Sequence, residues 1–389
     1  MNLFGDDDND DASVEPYGEN EAIGEGDGLL PPREMSFCLG HKQQEDLFLD
    51  LFQKKSLPHA MIFSGERGIG KSTMAFRLAR FLFKNAIVEN SEQDSLFAQE
   101  TAPQDIKFST LDVDVNDPVF IRIASGGYKD LLYIERYYDS TKNKLDADLK
   151  VAALRKIESF LRMTASKGGW RIVIVDDADT MNRNAQNAIL KILEEPPANV
   201  LIILIAHRLG RLIPTIRSRS RVIEFAPLSY EDMNELLKIN GHNISNEDLE
   251  ILHLLSEGSI GNALRLIDEE GIEALSGILD RLDDFPNWDW VKIHELSASL
   301  SGNAQDINYR VFVELMVWLF RYILSVKARG RADLPHYLQR ESIHRIINNY
   351  SLEELIRISD GLKEHFERVD FANLDRREAV RSAFLVIHE

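Results

Sequence analysis

Residues 65–73 have the types and the spacing needed to hold a phosphate group. They read G-E-R-G-I-G-K-S-T and match the P-loop pattern G-x-x-x-x-G-K-[ST]. The three glycines allow close backbone wrapping around an anion. The lysine would reach the β- and γ-phosphates, and the serine hydroxyl would bind Mg²⁺. The pattern predicts an ATP and Mg²⁺ site formed by Gly65, Gly68, Gly70, Lys71, Ser72 and Thr73.

Two adjacent carboxylates form a second candidate group. Asp176 and Asp177 directly follow the apolar run RIVIV, residues 171–175. Downstream of a P-loop, the first acid of such a pair would hold Mg²⁺ through water, and the second would polarise the attacking water. The second residue is ordinarily a glutamate, so Asp177 is one methylene short. In the plainer alternative, both acids are the solvated end of a strand.

These residues need strands and helices to bring them together. Residues 59–64, 171–175 and 200–205 are short apolar runs that predict strands, and residues 73–83 and 185–195 have the spacing of helices. Apolar strands without alternation are typical of a parallel sheet covered on both faces. The sequence therefore predicts an α/β fold with its ligand site at the carboxyl edge of the sheet.

Other segments carry weaker signals. Residues 149–165 predict a helix, 118–123 are compatible with a strand, and 86–118 are interpreted as a polar loop or insertion. From Leu228 onward every periodic segment is helical, and Pro286 marks a candidate boundary.

Composition limits the class of protein. The 389 residues carry a net charge of −19. Residues 1–32 hold ten acids and no lysine or arginine, which predicts a disordered tail and does not match the basic start of a signal peptide. Cys38 is the only cysteine, so no intrachain disulfide or cysteine-based zinc site is expected. The most apolar run, 311–326, is interrupted by Glu314 and Arg321, and we expect a soluble, cytoplasmic protein without a membrane partner.

Taken together, five segments resemble the bacterial clamp-loader AAA+ proteins over roughly residues 36–270. They are PHA (58–60), FSGERGIGKST (63–73), RIVIVDDADTMN (171–182), AQNAILKILEEPPANV (185–200) and PTIRSRS (214–220). The resemblance implies an AAA+ P-loop NTPase domain at 33–226, a small helical lid at 227–285 and an all-α C-terminal collar at 286–389. It also implies a pentamer with other loader subunits, which places a sliding clamp on primed DNA.

The resemblance assigns a role to one arginine. The family's Ser-Arg-Cys box supplies an arginine finger to the nucleotide of a neighbouring subunit, and the matching residue is Arg219. A guanidinium given in trans neutralises charge on the γ-phosphoryl group. In the alternative, Arg217, Arg219 and Arg221 form an alternating edge strand with one solvated face.

Three departures from the family pattern affect hydrolysis. Gly261 stands where ATPase subunits carry a nucleotide-sensing arginine, Ala206-His207 replaces the usual threonine or asparagine sensor, and Asp177 replaces the glutamate. None of them affects the phosphate cradle. The pattern is that of a subunit that binds ATP, contributes to a neighbour's site, and hydrolyses ATP poorly or not at all.

Two further points stay open in the sequence. Arg183, Asn184 and Asn187 are candidate contacts to DNA phosphates, with an ordinary exposed helix face as an equally good explanation. A self-sufficient AAA+ ATPase is the alternative function, and a nucleotide kinase is a third, against which the PTIRSRS and LEEPP segments argue.

Overall fold

The structure is a computed structural model of the full chain. It describes residues 30–93, 108–136, 138–139, 144–146, 148–163, 169–300, 306–330 and 334–388. Residues 1–29 of the predicted acidic tail, and residues 94–107 of the predicted insertion, lie outside the described residues.

The first part of the chain builds a central sheet. Its strands are β1 (Ala60–Ser64), β2 (Leu131–Ile134), β5 (Arg171–Val175), β6 (Val200–Ala206) and β7 (Arg221–Glu224). A separate antiparallel pair is formed by β3 (Tyr138–Asp139) and β4 (Lys144–Leu145). The five strands are parallel and lie in the order β2-β5-β6-β1-β7, with Ile62 opposite Leu204 and Val173 opposite Ile202.

Helices cover both faces of this sheet. They are α1 (Lys42–Gln53), α2 (Lys71–Gln93), α3 (Pro118–Ala124), α4 (Val151–Arg162), α5 (Arg183–Glu194) and α6 (Pro214–Arg219). On one face, Phe63, Ile174 and Ile203 are buried with residues of α1 and α2. On the other face, Ile62 and Val173 are buried with residues of α4 and α5. Burial on both faces explains why these strands are apolar throughout. The predicted α/β architecture, a parallel sheet with helices on both faces, is confirmed.

The rest of the described chain is helical, as predicted. The helices are α7 (Tyr230–Ile239), α8 (Asn246–Leu255), α9 (Ile260–Asp268), α10 (Gly271–Leu282), α11 (Trp290–Ser299), α12 (Asp306–Arg329), α13 (Glu341–Asn349), α14 (Leu352–Ala372) and α15 (Arg376–His388). We call α7 to α9 the lid helices. Serine side chains cap them: Ser229, Ser245 and Ser259 each accept a hydrogen bond from the backbone N–H three residues later.

The lid helices and the C-terminal helices share one buried cluster. Phe285 and Trp288, on either side of the predicted boundary at Pro286, belong to the same core and their rings pack 5.6 Å apart. The domain boundaries therefore stay predictions. The helices of the described part of the chain are all too short or too polar to span a bilayer.

The prediction of a strand at 118–123 is wrong. Residues 118–124 form α3, because the Asp117 side chain accepts a hydrogen bond from the Val119 N–H and Pro118 occupies the first helical position. An aspartate N-cap followed by proline is a helix start, and this signal outweighs the β-branched composition of the run.

Other boundaries also differ from the predictions. Helix α2 continues to Gln93, so residues 86–93 are helical rather than part of a loop. Arg217 and Arg219 lie in α6 and Arg221 begins β7, so the alternative of one alternating edge strand is wrong. Helix α10, which packs against α9 and α12, lies in the predicted helical region 227–285, but its own bounds were not predicted.

Candidate functional site

The site is built where three neighbouring strands end. β1 leads into the P-loop, β5 ends before Asp176 and Asp177, and β6 ends before His207. Since β6 pairs with both β1 and β5, the residue that follows it lies between the P-loop and the two carboxylates. The carboxyl edge of the sheet thus brings the predicted residues together, as expected for a parallel sheet.

The Lys71 side chain is turned into the P-loop. Its Nζ donates to the carbonyl oxygen of Gly65 at 2.7 Å, to that of Glu66, and to Nδ1 of His207 at 3.1 Å. Only 3% of the residue is exposed. Burial lowers the pKa of Lys71 to about 8, against the opposing effect of nearby carboxylates, with Asp176 first among them. All three ammonium protons therefore have partners within the protein.

Ser72 and Asp176 offer adjacent oxygens, as the magnesium prediction requires. Ser72 Oγ donates to Oδ2 of Asp176 at 2.7 Å, and the Tyr133 hydroxyl donates to the same oxygen at 3.1 Å. Hydroxyl and carboxylate oxygens are the ligands that Mg²⁺ prefers. Ser72 and Asp176 therefore fit the ion. Thr73 follows Ser72 in the first turn of α2.

Asp177 is held from two sides. One carboxylate oxygen lies 2.5 Å from Nε2 of His207, and the other accepts from Nε of Arg136 at 2.6 Å. Burial opposes ionisation, but these two partners and the charge of Arg67 outweigh it and hold the pKa of Asp177 well below its usual range. Each oxygen therefore already accepts a hydrogen bond from a side chain of the protein.

His207 connects the lysine to this carboxylate. An ammonium group only donates and a carboxylate only accepts, so the two contacts require a neutral imidazole with its proton on Nε2. The backbone N–H of His207 donates to Oδ1 of the buried Asp179 at 2.9 Å, which fixes the residue at the strand end. Lys71, His207, Asp177 and Arg136 thus form one continuous chain of polar contacts.

The P-loop is also closely packed from outside. A Cβ on Gly65 would lie 2.4 Å from the carbonyl oxygen of Phe225, where the chain leaves the sheet, so only glycine fits. The Nε2 of His41 lies 2.5 Å from the carbonyl oxygen of Ile69, and Cys38 Sγ lies 3.7 Å from that of Gly70. Burial raises the pKa of the Cys38 thiol to about 12, so it is an unreactive packing group.

Arg219 lies far from this site. Its Nη2 is 2.9 Å from Oε1 of Glu194, and its Nη1 donates to the carbonyl oxygen of Thr215 at 3.1 Å. Two residues later, Arg221 is opposite Met61 near the start of β1, whereas the P-loop follows the end of β1. A five-residue strand is roughly 16 Å long. Arg219 is therefore at the opposite edge of the sheet and does not reach the P-loop of its own chain.

The candidate DNA contacts share one exposed surface. Arg183, Asn184 and Asn187 are exposed in the first turns of α5, whose N-terminus is capped by Asn182. Their exposure agrees equally with the phosphate-contact hypothesis and with an ordinary helix face.

Some residues of the site were not found from the sequence. Tyr133 and Arg136 come from β2 and the segment after it, which has no motif, and His207 was noted only as a departure from the sensor residue. The polar residues that follow β2 and β6 were the available signal, because both strands end at the edge that carries the P-loop.

Comparison with known proteins shows similarity to subunits of DNA polymerase III. Residues 40–229 match the family described as DNA polymerase III, delta subunit. The chain is 28% identical over 262 residues to DNA polymerase III subunit delta' of Pseudomonas aeruginosa, covering 65% of this chain and 75% of that protein. It is 28% identical over 242 residues to DNA polymerase III subunit gamma of Buchnera aphidicola, covering 61% of this chain and 58% of that protein.

More distant likenesses extend beyond bacteria. The chain is 24% identical over 255 residues to replication factor C small subunit 1 of Pyrobaculum islandicum, covering 64% of this chain and 62% of that protein. A DNA polymerase III gamma subunit-related protein of Thermotoga maritima is similar in structure at 18% identity and a TM-score of 0.37, covering 87% of this chain and 98% of that one. The sequence relatives, the P-loop and the parallel sheet together support a member of the clamp-loader family of AAA+ proteins.

Proposed function

We propose that this chain is a delta-prime-like subunit of a DNA polymerase III clamp loader, in which it takes part in ATP-dependent loading of a sliding clamp onto primed DNA. In this role it binds ATP and Mg²⁺ weakly or statically, has no polymerase site, and supplies Arg219 to the nucleotide of a neighbouring subunit. Its partners are the other loader subunits in a pentamer, the clamp, and primed DNA through backbone contacts at Arg183, Asn184 and Asn187.

The distance between Arg219 and the P-loop is the observation that carries this proposal. An arginine at the amino edge of the sheet cannot stabilise a phosphoryl group bound at the carboxyl edge of the same chain. A guanidinium that is partly exposed, and held by Glu194 and by neighbouring groups of its own helix, is suited to contact a second molecule. The mechanism of arginine fingers in trans requires this arrangement.

The state of Asp177 supports weak hydrolysis by the chain itself. Its two oxygens accept from His207 and Arg136, and its pKa is held well below the range of a proton acceptor. A general base works best when its pKa lies near the working pH. With Gly261 in place of a sensing arginine, the site keeps the groups that bind phosphate and lacks those that activate water.

The test is the ATP turnover of a loader reconstituted with variant subunits. Arg219→Ala should lower turnover well below the wild-type rate, because an arginine finger contributes about 10³-fold or more at the site it serves. Arg221→Ala is the matched control, since it removes the same charge from an exposed position two residues away. Equal turnover of the Arg219 variant and the wild type would refute the finger.

The alternative of a self-sufficient ATPase is tested on the isolated chain. The proposal predicts turnover that remains close to background and does not depend on Lys71. Robust turnover that is abolished by Lys71→Ala would establish the alternative and remove the basis for a delta-prime-like role.

A further inference from the structure

The first turn of lid helix α9 lies directly on the P-loop. The backbone N–H of Gly261, the second residue of α9, donates to the carbonyl oxygen of Gly68 at 3.1 Å. Gly68 is the middle glycine of the phosphate cradle. This contact joins backbone to backbone, across 193 positions of sequence (261 minus 68), between the sheet domain and the lid helices.

The contact requires glycine at position 68 and leaves little room for a side chain at position 261. A Cβ on Gly68 would lie 2.4 Å from Oγ of Ser259 and 3.1 Å from Cα of Gly261, and Gly68 has a φ of +74°. A Cβ on Gly261 would lie 3.2 Å from Cα of Gly68, which is closer than packed carbon atoms normally approach. The absence of a side chain at position 261 therefore has an effect besides the loss of a nucleotide-sensing arginine, because it allows α9 to pack directly on the P-loop.

Further contacts hold α9 in this position. Leu228 N–H donates to the carbonyl oxygen of Gly258 at 2.9 Å, and the ring of His253 contacts the carbonyl oxygen of Leu228 at 2.9 Å. Ser259 is buried and caps α9 by accepting from the N–H of Asn262 at 3.1 Å. These hydrogen bonds connect the start of α9 to residues 225–228, the segment that passes beside Gly65. They hold the helix start in place against the P-loop.

Next to this contact, the ammonium group of Lys71 already has hydrogen-bond acceptors within the protein. Lys71 donates to the carbonyl oxygens of Gly65 and Glu66 and to His207. A triphosphate has to separate the lysine from these acceptors, and the P-loop has to adjust around the anion while its outer side is held by α9. The two sets of contacts both favour the loop without nucleotide.

From these contacts we infer that Gly261 sets the nucleotide affinity of this site, by letting α9 lock the P-loop through Gly68. The locked and unlocked loops form a two-state equilibrium, and only the unlocked one accepts a triphosphate. The apparent dissociation constant then equals the intrinsic one divided by the unlocked fraction. One backbone hydrogen bond shifts such an equilibrium by about fivefold.

The test is equilibrium binding of fluorescent ATP and ADP analogues to the isolated full-length chain. Gly261→Ala places a methyl group against Gly68 without adding a charge, so both nucleotides should bind about fivefold more tightly. The matched control is Gly277→Ala in α10, where an added Cβ meets no atom within 4 Å. That variant makes the same chemical change in a helix and should leave both affinities unchanged.

A second variant separates the lock from a lost sensor. Gly261→Arg should also tighten ADP binding, because its Cβ displaces α9 in the same way. The inference would be overturned if Gly261→Arg bound ATP more tightly but not ADP, while Gly261→Ala bound neither nucleotide more tightly. Such a result would show that only a missing γ-phosphate contact matters. Unchanged affinity in both variants would overturn it as well.

Hydrogen exchange provides a readout that does not depend on ligand. The backbone amide of Gly261 should exchange slowly in the wild-type chain, and the segment 65–73 should exchange faster in Gly261→Ala than in Gly277→Ala. The inference rests on the proposed function only in that the P-loop takes a nucleotide. Since all these measurements use the isolated chain, their outcome is independent of whether Arg219 acts in a neighbouring subunit.

Discussion

Replacing Asp177 by alanine tests whether this carboxylate is structural or catalytic. The residue is 8% exposed and accepts two charge-assisted hydrogen bonds, from His207 at 2.5 Å and from Arg136 at 2.6 Å. Each such bond contributes about 1.5–3 kcal/mol, and the burial of the carboxylate offsets part of the sum. We expect Asp177→Ala to lower the free energy of unfolding by about 3 kcal/mol, because Arg136 and His207 lose their acceptor.

Chemical denaturation of the full-length chain measures this loss. Asp360→Ala, at an exposed position in α14, is the control and should change stability by less than about 1 kcal/mol. Asp177→Asn should fall between the two, since the amide keeps one acceptor and directs a donor at the other partner. The reasoning would be refuted if Asp177→Ala were as stable as the wild type or more stable, because catalytic groups are commonly held in place at the expense of stability.

Two further predictions concern groups next to the P-loop and the finger. Burial lowers the pKa of His41 below its ordinary value, so the stability that the wild type gains over His41→Gln should be present above about pH 6.5 and be lost as the pH falls further. Denaturation of both proteins at pH 7.5 and 5.5 measures this difference in stability. A difference that does not change with pH would contradict the prediction. Glu194→Gln should lower the kcat of a reconstituted loader by less than about fivefold, because a half-exposed ion pair with Arg219 contributes under about 1 kcal/mol. Glu195→Gln is its control, and a loss as large as that of Arg219→Ala would show that Glu194 acts in the chemistry itself.

The sequence was sufficient for the parts of the site that follow from local pattern. A P-loop between a strand and a helix, and Asp176 after an apolar run, need only a parallel sheet to bring them to one edge. The sheet follows from strands that are apolar without alternation. For that reason Lys71, Ser72 and Asp176 were predicted with their neighbours, and Ser72 is found 2.7 Å from Asp176.

The contacts that decide the state of the site depend on long-range packing. Whether Lys71 faces solvent or the loop's own carbonyls depends on His207, 136 positions away along the chain. The approach of Gly261 to Gly68 depends on how the lid helices pack on the sheet domain, and no pattern within either segment encodes this. The prediction of a strand at 118–123 was wrong for the opposite reason, since the deciding signal was local. The helix cap at Asp117 was not weighed against the β-branched composition of the run.

ATP turnover by the reconstituted loader, compared between Lys71→Ala and Arg219→Ala in the same preparation, tests the central claim most directly. A subunit that acts in its neighbour's site should lose most of the stimulated turnover when Arg219 is removed and should keep it within about twofold when Lys71 is removed. The reverse pattern, a loss with Lys71→Ala and none with Arg219→Ala, would mean that this chain hydrolyses its own ATP and would contradict the account.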